Sequence, residues 1–178
     1  NVGAYGLFCA RNARCAVSGG TETVFSAAAS FGVFVRQNAS LDIDAPATSR
    51  NNGQFGVYVD FGGRLSTSGT APFTVRDNGN LGIAATQGAG IRIASPLALS
   101  GNASWGLYAA ERGRIDVVGG GTILNGRTNS GGIVATNNAH VRITVPTGGS
   151  LSLSCEQGAG TNAILVQLRS QLVIVGDG

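Results

Sequence analysis

Apolar residues recur at fixed places in seven segments of about twelve residues that align without gaps. The segments begin at Gly6, Gly32, Gly56, Gly82, Gly106, Gly132 and Ala163. We number each position by its offset from that first residue. Offsets one, three, nine and eleven are apolar in every segment, with the single exception of Thr67. A spacing of two is typical of a strand with one buried face, so each segment predicts two short strands joined by a polar corner.

A weaker third apolar run follows the two strands in most segments, as at residues 73–75 and 97–99. Turns rich in Asn, Gly and Ser come after it, and these residues suit sharp corners because they tolerate positive φ. Three strands per repeat are too few for a propeller blade but fit one rung of a solenoid, in which each strand pairs in parallel with its counterpart in the next rung. The sequence therefore predicts an all-β, right-handed parallel β-helix (β-solenoid) of about seven rungs of 24–26 residues, with three short strands each.

Composition narrows the possible functions without naming one. The chain has 178 residues, of which 43% are hydrophobic and 12% charged, and all twelve basic residues are Arg. The absence of Lys excludes Schiff-base and P-loop chemistry, and a net charge of +3 with scattered Arg residues argues against nucleic acid. No apolar stretch is long enough for a membrane span. Residues 1–178 are expected to form a single β-helix domain. The absence of Met indicates a processed chain or a piece of a longer one, and the apolar run Val173-Ile174-Val175 reaches almost to the last residue, so we expect a fragment of a longer protein.

The rung pattern, with its leading Gly, its paired apolar positions and its Asn-rich turns, resembles the pectin-lyase-like right-handed parallel β-helices. The rungs at residues 56–69 and 106–123 are most similar to repeats of phage tail-spikes, tail-fibres and bacterial autotransporter passengers. This resemblance implies an extracellular protein of a cell surface or virion. Two functions follow from it: a non-catalytic shaft or adhesin-type domain for cell-surface or polysaccharide recognition, or a polysaccharide lyase or glycoside hydrolase acting on the outer face.

The residues favour the non-catalytic function. Family enzymes that cleave pectin use clustered carboxylates with Lys or Arg, and the hydrolases add a Gly-His-Gly signature. This chain has no Lys, and its only His stands in Ala139-His140-Val141. The weak candidates for catalysis are Glu111, Asp116 and His140. No cofactor is predicted, and no metal site, because the Cys and His residues lack zinc-ligand spacing.

An aromatic residue and an Arg recur together on the predicted outer face, about once every two rungs. The aromatic residues stand at offset two and the Arg residues at offset eight; they are Phe8, Phe34, Tyr58, Tyr108, Arg14, Arg64 and Arg114. Two interpretations are open: a ladder that binds an extended polysaccharide, or an apolar surface covered by another subunit of a homo-oligomer such as a trimer, or by flanking β-helix of the parent protein. We favour the interface. A further column at offset minus one is predicted by strand parity to point into the core; it comprises Tyr5, Phe31, Phe55, Leu81 and Trp105.

Offset ten carries Arg92, Asp116 and Arg142 on successive rungs. Arg92 and Arg142 are candidates for binding an anionic ligand, but an ion-pair ladder between neighbouring strands explains the three residues without a ligand and is favoured.

Two further groups complete the candidates. The carboxylates of Asp42, Asp44 and Asp60 are expected to form a solvated acidic face. Cys9 and Cys15 face inward in one rung, where either a disulfide or two small buried hydrophobic residues would fit.

Overall fold

The computed structural model describes residues 3–119, 122–126, 131–148, 150–155 and 163–176, and every regular element in these ranges is a β-strand. The first ten strands are β1 (Tyr5–Cys9), β2 (Arg14–Ser18), β3 (Thr23–Ser26), β4 (Phe31–Val35), β5 (Ser40–Asp44), β6 (Ala47–Arg50), β7 (Phe55–Val59), β8 (Arg64–Thr67), β9 (Phe73–Arg76) and β10 (Ile83–Ala85). The next ten are β11 (Gly90–Ile93), β12 (Leu97–Asn102), β13 (Leu107–Ala110), β14 (Arg114–Val117), β15 (Thr122–Gly126), β16 (Ile133–Thr136), β17 (His140–Val145), β18 (Leu151–Cys155), β19 (Ile164–Val166) and β20 (Gln171–Gly176).

Three parallel sheets run along the coil, and each takes every third strand. Sheet A has the order β1-β4-β7-β10-β13-β16-β19, sheet B the order β2-β5-β8-β11-β14-β17-β20, and sheet C the order β3-β6-β9-β12-β15-β18. Residues at the same offset pair between rungs, as Val33 does with Val57 and Leu41 with Leu65. The chain is thus an all-β parallel solenoid, as the repeat predicts.

The four apolar columns form the core. Val33, Val35, Leu41 and their equivalents in the middle rungs are almost completely inaccessible to solvent. Thr67, the polar exception, is also buried, and its hydroxyl lies 2.7 Å from the hydroxyl of Ser95. About five turns enclose this core, compared with the seven rungs counted in the sequence, because the first and last rungs are only partly buried.

The corner between sheets A and B has a left-handed backbone in every rung. Gln37 and Asn38 have φ of 56° and 58°, and Asn137 and Asn138 have φ of 55° and 62°. Asn tolerates this conformation better than most residues. Phe61 adopts it with φ of 46°, which is unusual for a bulky side chain and places its ring outside the coil, 47% exposed.

A ladder of buried Asn side chains joins the rungs at the opposite corner, between sheets C and A. Asn52 Nδ2 donates to Asn78 Oδ1 at 2.9 Å, and Asn78 Nδ2 donates to Asn102 Oδ1 at 2.8 Å. The same oxygens accept backbone N–H groups of the preceding rung. Each Asn is at most 2% exposed, so the ladder satisfies polar groups that water cannot reach.

We predict that Asn78→Ala lowers the free energy of unfolding by about 2–3 kcal/mol, because it leaves the buried backbone N–H of Asn52 without its acceptor and removes one hydrogen bond from the side chain of Asn52 and one from that of Asn102. Asn80→Ala, two residues further on at an exposed position, is the matched control and should change it by less than about 0.5 kcal/mol. Urea denaturation followed by circular dichroism measures both. Equal effects of the two substitutions would contradict a stabilising role of the ladder.

Candidate functional site

Six aromatic rings from three consecutive rungs form one continuous stack on the outside of sheet A, in which the ring of Phe34 is buried by its neighbours at 4% exposure. This aromatic surface consists of Tyr5, Phe8, Phe31, Phe34, Phe55 and Tyr58. Within a rung, the ring centroids lie 4.9 Å apart for Tyr5 and Phe8 and 4.7 Å apart for Phe31 and Phe34. Between rungs, Phe31 stacks on Phe55 at 5.2 Å with an interplanar angle of 7°. The spacing of the rungs therefore sets the spacing of the rings.

The prediction that the offset minus one column points into the core is wrong. The rings of Tyr5, Phe31 and Phe55 stack on the offset two rings outside the coil, and Leu81 and Trp105 line the same outer surface. The cause is the glycine between the two columns. A Cβ on Gly32 would point inward and collide with the side chains of Ser49 and Asn52.

Offsets zero and one therefore both face the interior, and the alternation of faces is broken at the glycine. Strict alternation along the strand would place only one of the two aromatic columns on this surface, but the glycine places both columns there. Gly82 repeats the arrangement, since its Cβ would lie 2.8 Å from Asn102 Nδ2. The same glycines thus make room for the Asn ladder, which only a residue without a side chain allows.

The aromatic surface is interrupted in the fourth rung, where Leu81 and Ala84 stand at the two aromatic positions. A groove of about 470 Å³ opens there. Phe55 and Tyr58 line it from the third rung, and Trp105 and Tyr108 line it from the fifth.

Polar side chains surround this groove; they are Asn80, Thr86, Gln87, Ser104 and Glu111. The hydroxyl of Tyr58 lies 3.1 Å from that of Thr86. Burial raises the pKa of Tyr108, and the carboxylate of Glu111 and the hydroxyl of Tyr58 raise it further. Tyr108 is therefore a neutral hydrogen-bonding group at physiological pH.

Arg36 extends the aromatic surface around the corner. Its guanidinium carbon lies 5.2 Å from the ring centroid of Phe34 and 5.1 Å from that of Phe61. Both contacts are cation–π interactions. Its Nε lies 3.5 Å from Asp60 Oδ1, and neither atom has a hydrogen-bond partner within the described residues.

Asp60 is buried rather than part of a solvated acidic face, contrary to the sequence-based expectation, because it lies at the corner directly after β7, next to Arg36 of the preceding rung. Burial raises its pKa, and the positive charge of Arg36 offsets only part of that increase. Asp42 and Asp44 are exposed as expected; Asp42 accepts a hydrogen bond from Ser66, and Asp44 accepts one from Ser68 at 2.9 Å.

The predicted pairing of aromatic and Arg residues is divided between two sheets. Arg14, Arg64 and Arg114 occupy one column of sheet B, beyond the corner from the rings. Within the described residues, the rings contact other rings and Arg36. The two sets of side chains therefore form separate surfaces.

On sheet B, Arg64 and Arg92 line a second groove of about 480 Å³ beside Gly90. Arg92, Asp116 and Arg142 align in register, but the carboxylate of Asp116 binds Arg114 of its own strand, with Nε to Oδ2 at 2.7 Å. The prediction that Asp116 pairs with Arg92 and Arg142 of the neighbouring strands is therefore wrong, because Asp116 pairs with Arg114 of its own strand. In the part of the chain that the structure describes, Arg92 and Arg142 have no ion-pair partner and remain available to an anion.

The three weak catalytic candidates lie at two places on the coil. Glu111 lies in the left-handed corner with φ of 52°, whereas Asp116 and His140 lie on sheet B. No hydrogen bond or ion pair joins any two of them among the described residues. The same ranges contain no group of three His, Cys, Asp or Glu side chains that could hold a metal ion.

Cys9 and Cys15 form a disulfide across the first corner, with 6.3 Å between their Cα atoms. This resolves the two alternatives that the sequence leaves open. The described part of the chain contains no helix that could span a membrane.

Comparison with known proteins adds no relative: no family model, no curated protein and no solved structure matches this chain. The class that the fold defines is a parallel β-solenoid, and the resemblance to pectin-lyase-like β-helices is borne out only at that level.

We predict that the wild type loses stability relative to Asp60→Asn as the pH rises above about 3.8, the ordinary pKa of the carboxyl group. The folded protein binds this proton more tightly than the unfolded chain does, so ionisation of Asp60 opposes folding through the interval between the two pKa values. Urea denaturation of both proteins between pH 3 and pH 7 measures the difference. A difference that is constant with pH, or that changes in favour of the wild type, would contradict the raised pKa.

Proposed function

We propose that this chain is a non-catalytic, extracellular β-solenoid shaft of a phage tail or bacterial surface protein, which recognises a polysaccharide or cell-surface glycan on the outer face of sheet A. The observation that carries the proposal is the aromatic surface, six stacked rings from three rungs that continue into a groove lined by Trp105 and Tyr108.

The arrangement of the rings supports an extended and repetitive ligand. The aromatic positions recur in each of the first three rungs, so the surface repeats along the coil axis as the residues of a glycan chain repeat along the polymer. Tyr5 and Phe8 are 42% and 50% exposed, which leaves ring area for the apolar faces of sugars. Hydroxyl and amide groups beside the rings supply partners for sugar hydroxyls.

The disulfide supports the extracellular location. Disulfides form and persist in oxidising compartments and are rare in the reducing cytosol. The Cys9–Cys15 bond lies in the same rung as the exposed rings of Tyr5 and Phe8, so the disulfide braces that part of the aromatic surface.

The second candidate function of the aromatic surface is a protein interface. Exposed aromatic patches also mark contacts between subunits, and a homotrimer would cover Tyr5 and Phe8. The polar lining of the groove favours the glycan, because the fully buried centre of a subunit interface is depleted of charged residues such as Glu111.

We predict that the double variant Tyr58→Ala, Tyr108→Ala binds polysaccharides at least about tenfold more weakly than the wild type, since it removes one ring from each wall of the groove. The matched control is Leu168→Ala, which removes a 65% exposed apolar side chain from a corner outside the aromatic surface and should leave binding unchanged. Affinity electrophoresis against a panel of neutral and acidic polysaccharides measures all three proteins.

Three results would overturn the proposal: no polysaccharide retains the wild type, the double variant is retained as well as the wild type, or reducing ends or unsaturated uronates are released. Light scattering across a concentration series measures the oligomeric state and so tests whether the aromatic surface is a subunit interface. A trimer that dissociates in Phe8→Ser but not in Leu168→Ser would assign the aromatic surface to subunit contacts.

A further inference from the structure

A column of outward-facing positions follows sheet B, and one residue in this column has no side chain. The column stands at offset eight and comprises Arg14, Ser40, Arg64, Gly90, Arg114, His140 and Gln171. Gly90 lies in register with Arg64 of the preceding rung and with Arg114 of the following rung. The groove of about 480 Å³ on sheet B lies at this position, and its volume falls within the range of about 300–1,000 Å³ that is typical of small-molecule sites.

The guanidinium group of Arg64 reaches into the space that Gly90 leaves open. A Cβ on Gly90 would lie 3.1 Å from Arg64 Nη1, so Arg64 extends from its own strand, β8, over the next strand of the sheet, β11. Arg92, two residues after Gly90 on β11, lines the same groove. The missing side chain thus allows Arg residues of two successive rungs to contribute to one groove.

The two carboxylates that line this groove are held by other groups. Asp116 accepts two hydrogen bonds from Arg114 of its own strand, from Nε to Oδ2 at 2.7 Å and from Nη2 to Oδ1 at 3.2 Å. Asp42 accepts a hydrogen bond from Ser66 and lies two rungs away from Arg92. The positive charge in the groove is therefore concentrated on the side of Gly90.

Arg64 and Arg92 form no ion pair within the ranges that the structure describes. Two positive charges thus line one groove without a counter-ion from the chain, and a bound anion would relieve their mutual repulsion. Of the two candidates that the sequence offers for an anionic ligand, only Arg92 belongs to the groove. Arg142 lies two rungs further along the sheet and does not line it.

We infer that the groove on sheet B is a binding site for one tetrahedral oxyanion, a phosphate or sulfate group that is either free or an ester, held by Arg64 and Arg92 beside Gly90. Such an anion presents its oxygens in several directions and can accept hydrogen bonds from two guanidinium groups at once, whereas a carboxylate presents two oxygens in one plane, which match a single Arg fork. The inference goes beyond the proposed function, because the site lies on another sheet and takes another class of ligand. A neutral glycan lacks the charge that this site requires.

Titration with sodium phosphate at low salt tests the site, since salt screens charges at the surface. NMR of the 15N-labelled chain follows the backbone N–H signals of β8 and β11 in every variant and shows where phosphate binds. We expect saturable shifts of these signals in the wild type. The double variant Arg64→Gln, Arg92→Gln should bind phosphate at least about tenfold more weakly, because Gln is polar but has neither the charge nor the fork of donors.

A second variant, Gly90→Leu, fills the groove and keeps every charge. The added side chain meets the flexible end of Arg64, and the other residues of the column show that a side chain is tolerated at this position of the strand. We expect at least about tenfold weaker binding of phosphate here too, because the ligand loses the space beside the two guanidinium groups.

The matched control for charge is the double variant Arg112→Asn, Arg169→Asn. It removes two positive charges from the corner between sheets A and B, outside the groove. Both residues have positive φ, and Asn occupies the equivalent position in three other rungs, so the substitution suits the backbone. Its affinity for phosphate should equal that of the wild type. Thermal unfolding by circular dichroism confirms that the compared variants are folded.

Glucose 6-phosphate, with glucose as its neutral control, distinguishes the two sources of the anion. Tighter binding of the sugar phosphate would identify an ester as the ligand, and tighter binding of inorganic phosphate would identify the free ion. Three results would overturn the inference: phosphate produces no saturable shift in the wild type, either folded groove variant binds it as tightly as the wild type, or the charge control loses as much affinity as the Arg64, Arg92 variant. The last result would show that phosphate responds only to net charge.

Discussion

The parallel hydrogen-bonded pairing of each strand with its counterpart one rung away is the constraint on which the rest of the structure depends. It places residues of equal offset above one another, so a column in the sequence becomes a stripe on one face of the coil. Apolar columns then fill the core, and the Asn column becomes a buried ladder. The aromatic columns become a stack of rings by the same rule.

The glycine that begins six of the seven rungs decides what that stack can do. At Gly32, Gly56 and Gly82 no other residue fits, because side chains of sheet C and the Asn ladder occupy the space where an inward-facing Cβ would lie. Two successive residues thus turn toward the core, and the positions on either side of them both turn outward. Because the interior has no room for a side chain at the glycine, two columns of aromatic rings lie on the outside of sheet A instead of one. The fourth rung has no aromatic residue in either column, and a groove lies there.

Much of the fold could be predicted from the sequence because apolar residues recur at the same offsets in every rung. The apolar columns gave the strands, and the step of 24 or 26 residues gave the register of sheets A and B. Phe31 and Phe55 were placed on the wrong face because parity assumes strict alternation along a strand, whereas Gly32 and Gly56 interrupt the alternation between them and the first core residue. The leading glycine was the available signal, since an invariably small residue beside a core position indicates a close approach of the chain.

Individual side-chain partners were less predictable. Asp116 lies in register with Arg92 and Arg142, yet it binds Arg114, which reaches it along the same strand. Nothing in the sequence distinguishes Asp60 from the exposed Asp42 and Asp44. Only the structure of the corner shows that Asp60 is buried next to Arg36. Phe61 and Arg36 likewise join the aromatic surface through a left-handed corner that no apolar periodicity marks.

The most direct measurement is a crystal structure of the chain with a bound neutral oligosaccharide such as cellohexaose. The account predicts electron density for the glycan along sheet A, over the aromatic surface and the adjoining groove that Trp105 and Tyr108 line. Density on sheet B beside Arg64 and Arg92, or a neighbouring subunit of a solution trimer packed over Tyr5 and Phe8 with no glycan bound, would contradict it.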